Sequence, residues 1–217
     1  MIAISTAYKE ALVSVELNNK TAYKTLDSNC KHSENILKTI NESLDEIDSK
    51  IQDNKKYAVV VGPGSFTGIR IGIALVKGLI SGSEECKVMP ITTFDLMAYS
   101  YIKNCNPKKE FLCVINALSG LYYICKYSIS GEKIDKEQLV SKEELDKMTD
   151  IEKIGLTEEN IMKKSVRPTA EELLQLAKLL DEKGLFFTEN NNLLPLYLRK
   201  SQAEDSLEQK NKKIEKI

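Results

Sequence analysis

Gly62-Pro63-Gly64-Ser65-Phe66-Thr67-Gly68, continuing into Ile69-Arg70-Ile71-Gly72, lies between a β-branched run from Tyr57 to Val61 and an apolar helical pattern from Phe66 to Ile80. Three glycines and a proline in seven positions mark a strand-to-helix turn, one that demands positive φ or very close backbone approach. Phosphate binding is the first reading such a turn invites. The glycines, however, fall as G-x-G-x-x-x-G, Thr67 stands where a dinucleotide fingerprint needs its third glycine, and no Lys-Ser or Lys-Thr pair follows as a P-loop requires. Gly62, Pro63 and Gly64 are therefore read as a structural turn, with Ser65 in capping position for the helix behind it.

That helix is apolar almost all the way round, interrupted only by Arg70 and Lys77, which share one line and read as a solvated strip. Phe66, Ile69, Ile73, Val76 and Ile80 step along one side, and Gly68, Gly72, Leu75 and Leu79 along another. Gly72 and Gly78 each cost roughly 1 kcal/mol against alanine inside a helix, a cost that close approach of a second helix would explain. The pattern predicts a helix covered twice, by its own sheet and by something else.

Composition restricts the chemistry. The chain of 217 residues is 42% hydrophobic and 29% charged, with a net charge of −1, which leaves no electrostatic footprint for unaided nucleic-acid binding. Five cysteines (Cys30, Cys86, Cys105, Cys113, Cys125) include no C-x-x-C pair, which disfavours both a disulfide framework and a zinc site and fits a reducing cytoplasm. No run approaches the ~18 apolar residues of a membrane span. His32 is the only histidine, so a His-rich metal site is excluded and a Ser-His or Cys-His pair would have to use it as base. Its place in His32-Ser33-Glu34, directly before a helical pattern, suits a capping or interface residue better.

Working outward, Ile2 to Ser5, Ala11 to Leu17 and Thr21 to Leu26 read as a three-stranded meander with a turn at Asn18-Asn19. An amphipathic helix over 33–51 follows, then the strand before the glycine turn, the apolar helix, a strand around Val88 to Ile91 and a helix to about Lys103. A weaker copy begins after Asn106-Pro107: strands at Glu110 to Asn116, Leu121 to Ser128 and Glu132 to Val140, helices at Lys142 to Met148 and Thr157 to Lys164, a strand near Ile151 to Ile154, and a helix from Thr169 to Lys183 ended by Gly184. Leu193 to Leu198 reads as extended. This organisation divides the chain into residues 1–105, a degenerate second copy over 106–200 and a polar tail over 201–217.

Three strands, helix, strand, helix, used twice, resembles the actin and sugar-kinase superfamily, an α/β fold whose members commonly cleave or transfer the γ-phosphate of ATP. Such chemistry needs carboxylates at the ends of the first strand of each half to hold magnesium. Here those positions are Ser5 and Asn116, and neither neutralises a divalent cation. A stand-alone ATP-dependent kinase-like enzyme is the alternative reading, to be recognised by turnover of magnesium-ATP by the isolated chain.

The segment Gly62 to Gly72, with Ala74, Lys77 and Gly78 behind it, closely resembles the stretch that marks the TsaB (YeaZ) family of bacterial tRNA threonylcarbamoyladenosine biosynthesis proteins. His32-Ser33-Glu34, Pro168 with Ala170 and Leu173, and Pro195-Leu196-Tyr197-Leu198-Arg199 resemble further family segments. The chain departs where many relatives read Asp-Thr-Ser and Asp-Ala-Arg, carrying Ser5-Thr6-Ala7 and Asn116-Ala117-Leu118. The resemblance implies a non-catalytic subunit without cofactor or metal, neither enzyme nor protease. It would pair with a TsaD-like catalytic subunit and a TsaE-like ATPase, meet tRNA only through that complex, and form a homodimer in isolation. The partner-binding surface it implies maps onto His32, Ser33, Ile36, Leu37, Ile40 and Leu44 of the first helix. In the second it takes Phe66, Thr67, Gly68, Ile69, Gly72, Ile73 and Val76, the glycines allowing a partner helix to come close.

Overall fold

The computed structural model describes residues 1–27, 32–156, 162, 164–186 and 193–198. Strands β1 (Ile2–Ser5), β2 (Ala11–Leu17) and β3 (Lys20–Leu26) form the expected antiparallel meander. Asn18 and Asn19 both adopt positive φ at its second turn, the conformation a tight two-residue hairpin needs. Helix α1 (His32–Asp45) leads to a 3-10 turn at Ile51–Asp53 and strand β4 (Lys56–Gly62). Helix α2 (Phe66–Ile80), strand β5 (Lys87–Thr92) and helix α3 (Thr93–Cys105) complete the first half. The sheet order is β3-β2-β1-β4-β5, with β4 and β5 parallel to β1.

The second half repeats this arrangement strand for strand. Strands β6 (Phe111–Asn116), β7 (Leu121–Tyr127) and β8 (Gln138–Ser141) form a second meander, followed by helix α4 (Lys142–Lys147). Strands β9 (Glu152–Gly155) and β10 (Lys164–Ser165) add in parallel, giving the order β10-β9-β6-β7-β8. Helix α5 (Ala170–Glu182) closes the copy, its first turn capped by a reciprocal Thr169–Glu172 box. The duplicated actin-like architecture is thus written in both sheets, the second with shorter strands and helices.

The core explains why the halves do not separate cleanly. Strand β1 is buried over its whole length, so its sheet needs cover on both faces. Helices α1 and α2 pack on it together, and so do α3 and α5, which also touch each other. Helix α5, counted with the second copy by sequence order, therefore belongs to the first core through Ala170, Leu173, Leu176 and Ala177. Helix α3 turns Phe94, Met97 and Tyr101 into a second core with Phe111, Cys113 and Tyr127.

Three expected elements differ. The helix over 33–51 ends at Asp45, because Asp48 takes φ 54° and the Ser49 amide folds back to the Leu44 carbonyl at 3.0 Å; Ile47 stays buried beyond the break. The strand over 132–140 shrinks to its last residues, since the charged run before them offers no apolar alternation to bury. The helix placed over 157–164 lies mostly outside the described residues, and its end, Lys164, pairs with Ile154 as β10 instead.

Candidate partner-binding face

The glycine turn is built around the end of β1. A Cβ on Gly64 would stand 2.1 Å from the Ala7 carbonyl oxygen, one on Gly68 1.9 Å from that of Thr6, and one on Gly72 2.5 Å from Thr6 Oγ1. The Thr6 hydroxyl donates to the Gly68 carbonyl at 2.6 Å, and the Ser65 amide donates to the Ala7 carbonyl at 2.7 Å. Ser65 caps α2 by accepting from the Gly68 amide at 3.2 Å, as its position suggested. Gly62 has φ +112°, and its peptide bond to Pro63 is cis. Four-residue spacing of Gly64, Gly68 and Gly72 thus lets the Thr6–Ala7 backbone lie directly on the helix.

This corrects one expectation. Gly68 and Gly72 accommodate the chain's own β1–β2 turn rather than a partner helix, and both are buried. Ile69, Ile73 and Val76 are buried with them in the first core, as are Ile36, Ile40 and Leu44 of α1. Of the residues assigned to the partner surface, the structure leaves Ser33, Leu37, Phe66 and Thr67 exposed. His32 opens α1, and its side chain lies outside the described residues.

The open side of α2 carries Leu75 and Leu79 of the second apolar line, Gly78, which stood out by its helix cost, and two residues that the periodicity did not single out, Ile71 and Ala74. Ala74 and Gly78 are exposed, Ile71, Leu75 and Leu79 are half-buried, and a Cβ on Gly78 would meet nothing within 4 Å. Phe66 is 42% exposed and Leu37, on the adjacent α1, 44%. Ala74 and Gly78 stand four residues apart, so two small residues follow one another along the exposed side of the helix, next to the half-buried Ile71 and Leu75. Any signal in the sequence lay in the glycine without an internal reason to be one.

Arg70 is not a free cation on a solvated strip. Its guanidinium lies 3.8 Å from the Phe66 ring centroid, and its Nε donates to the Tyr197 hydroxyl at 2.7 Å. The Phe66 and Tyr197 rings stack with centroids 5.2 Å apart. The Leu196 amide donates to the Val61 carbonyl at 2.8 Å and Leu193 is fully buried, so the segment 193–198 is fastened beside the glycine turn.

The strand ends hold no catalytic carboxylate. Ser5 is buried at the end of β1, and Asn116, at the end of β6, accepts from the Leu118 amide at 2.7 Å. Among the described residues, no group of three or more His, Cys, Asp or Glu side chains is placed to hold a metal. Burial pushes the Cys125 thiol up to about 11 and that of Cys113 well above its ordinary value, so both stay protonated at neutral pH. No described helix is long and apolar enough to cross a membrane.

The family model described as "TsaD: tRNA N6-adenosine threonylcarbamoyltransferase" matches residues 27–209. The protein named "tRNA threonylcarbamoyladenosine biosynthesis protein TsaB" from Buchnera aphidicola subsp. Schizaphis graminum is 31% identical over 161 residues, covering 70% of this chain and 74% of its own. The chain belongs to the TsaB family. The TsaB protein of Escherichia coli K12 is 32% identical over 97 residues, 45% of this chain and 41% of its own. YeaZ from Pseudomonas aeruginosa superposes with a TM-score of 0.76 at 22% identity, covering 91% of this chain and 98% of that one. The chain therefore shares the fold of YeaZ over nearly its whole length.

Proposed function

We propose that this chain acts in threonylcarbamoyladenosine biosynthesis as a non-catalytic cytoplasmic subunit, binding and activating a TsaD-like catalytic partner through the open sides of α1 and α2. The assembly would also include a TsaE-like ATPase, and tRNA would be met only through it. The observation that carries the reading is the apolar side of α2, on which Ala74 and Gly78 leave room for a second helix backbone and no internal contact accounts for Gly78. Leu37 and Phe66 add exposed apolar surface on α1 and at the start of α2. Ser5 and Asn116 in place of acids support the non-catalytic half of the proposal. The binding face belongs to residues 1–105, and residues 106–200 form the supporting half.

The test is light scattering after size exclusion, on the chain alone and mixed with its cognate TsaD-type protein. Self-association of the same face yields a homodimer alone, and a one-to-one complex replaces it on mixing. Gly78→Leu should abolish that complex with the melting temperature equal or raised, since among the described residues nothing lies within 4 Å of a Cβ on Gly78 and leucine is the better helix former. Independent elution of the two proteins, with turnover of magnesium-ATP by this chain alone, would establish the kinase-like alternative instead.

A further inference from the structure

The Arg70 guanidinium is held in place and yet exposed. Its centre lies 3.8 Å from the Phe66 ring centroid and 5.7 Å from that of Tyr197, and its Nε donates to the Tyr197 hydroxyl at 2.7 Å. A guanidinium carries N–H donors all round a rigid plane, and those on the Nη atoms of Arg70 make no hydrogen bond or ion pair with any described residue. Anchoring of the segment 193–198 accounts for the ring contacts and the Nε bond. It leaves the outer edge of the fork unused, with the side-chain entropy already lost.

A second cation follows along the same helix. Lys77 stands seven residues after Arg70, which puts both on one line of α2, about 10 Å apart along the axis. Lys77 is half-buried, it too has no carboxylate partner among the described residues, and the helix from Phe66 to Ile80 contains no acid of its own. The helix dipole welcomes a cation in the last turn, a reason that serves Lys77 and not Arg70. Ala74 lies between the two on the same line, with Ile71 and Leu75 half-buried beside it.

Sparse cations set in apolar surface define what fits against them. Nucleic acid calls for a denser run of positive charge, and the chain carries a net charge of −1. A helix laid over Ala74 at a shallow crossing angle covers Ile71 and Leu75 with its apolar stripe and keeps to the line of α2 for long enough to meet both cations. Carboxylates complete both contacts, accepted by a planar fork at Arg70 and by a point charge at Lys77.

We propose that the open side of α2 receives an amphipathic helix of the partner that bears two carboxylates, one bound by the Nη edge of Arg70 and the other, about two turns away, by Lys77. The inference rests on the partner-binding reading of this face and adds what the partner presents to it.

The experiment treats a mixture of the full chain and its cognate TsaD-type protein with a water-soluble carbodiimide, which joins amines to carboxylates already in contact. Light scattering first establishes whether wild type forms the complex. Mass spectrometry should then find Lys77 linked to an Asp or Glu of the partner, and Arg70→Lys should add a link from position 70 to a second acid about seven residues from the first. Arg70→Ala and Lys77→Ala should each weaken the complex about tenfold at low salt and flatten the fall of affinity with ionic strength. Loosening of the segment 193–198 alone would lower affinity in Arg70→Ala without changing that slope, and would leave Lys77→Ala as wild type. A wild-type complex with no link from position 70 or 77, and with the same salt slope in both alanine variants, overturns this inference and leaves the partner-binding reading standing. Failure of wild type to form the complex overturns both.

Discussion

Single residues on α2 separate internal from external roles. Gly68 carries the Thr6 carbonyl where any Cβ would collide with backbone, so Gly68→Ala forces β1 away from the helix. A loss of about 1–3 kcal/mol is expected from such overpacking, read as a lower urea midpoint with the slope unchanged. Gly78 is the control. Its Cβ position is open, so Gly78→Ala should stabilise the isolated chain by about 1 kcal/mol through helix propensity alone. Equal effects of the two alanines in urea melts would mean that the contact with Thr6 does not constrain the helix.

At the level of elements, the segment 193–198 is held against β4 and α2 by one backbone hydrogen bond, the buried Leu193 and the Phe66–Arg70–Tyr197 cluster. Placing a guanidinium over one ring of an exposed stacked pair is worth roughly 0.5–1 kcal/mol. Arg70→Ala should therefore speed hydrogen exchange at the Leu196 amide several-fold, leaving the amides of β1 and β4 as protected as before. Unchanged exchange at Leu196 would show that Leu193 alone anchors the segment. Because Phe66 stands both in this cluster and at the edge of the open side of α2, the anchored segment sets where the proposed binding face begins.

For the molecule as a whole, the amine of Met1 makes stability depend on pH. It lies between the Glu16 carbonyl and Asn54 Oδ1, 3.0 Å from the latter, and burial lowers it from 8.0 to about 6, against the attraction of Glu16. A depressed folded-state value favours the neutral amine in the native state. Its contribution is present above pH 8 and lost as pH falls through 6, a decline of roughly 2–3 kcal/mol. Urea unfolding between pH 8.5 and 5.5 measures it; acetylation of the amine, which removes the titration, should flatten the profile over that window.

Period and punctuation in the sequence determined the element order as far as β9, because β-branched runs, helical stripes and turn residues act within a few positions of one another. The strand from Ile2 to Ser5 and the helix from Phe66 to Ile80 were legible to the residue, and so was the repetition of three strands followed by helices. Periodicity also showed that α2 is apolar on all sides, but it could not say which side faces inward. That depended on Thr6 and Ala7, about sixty residues away, whose carbonyls take the space of the missing Cβ atoms of Gly64 and Gly68. Tertiary structure alone therefore turned Gly68, Gly72, Ile69, Ile73 and Val76 into core and left Ile71, Ala74 and Gly78 on the open side. It likewise brought Tyr197 to Arg70. The physical reason is the same in each case: local propensity is encoded in neighbouring residues, whereas the inward face of an element is chosen by whatever distant segment packs against it.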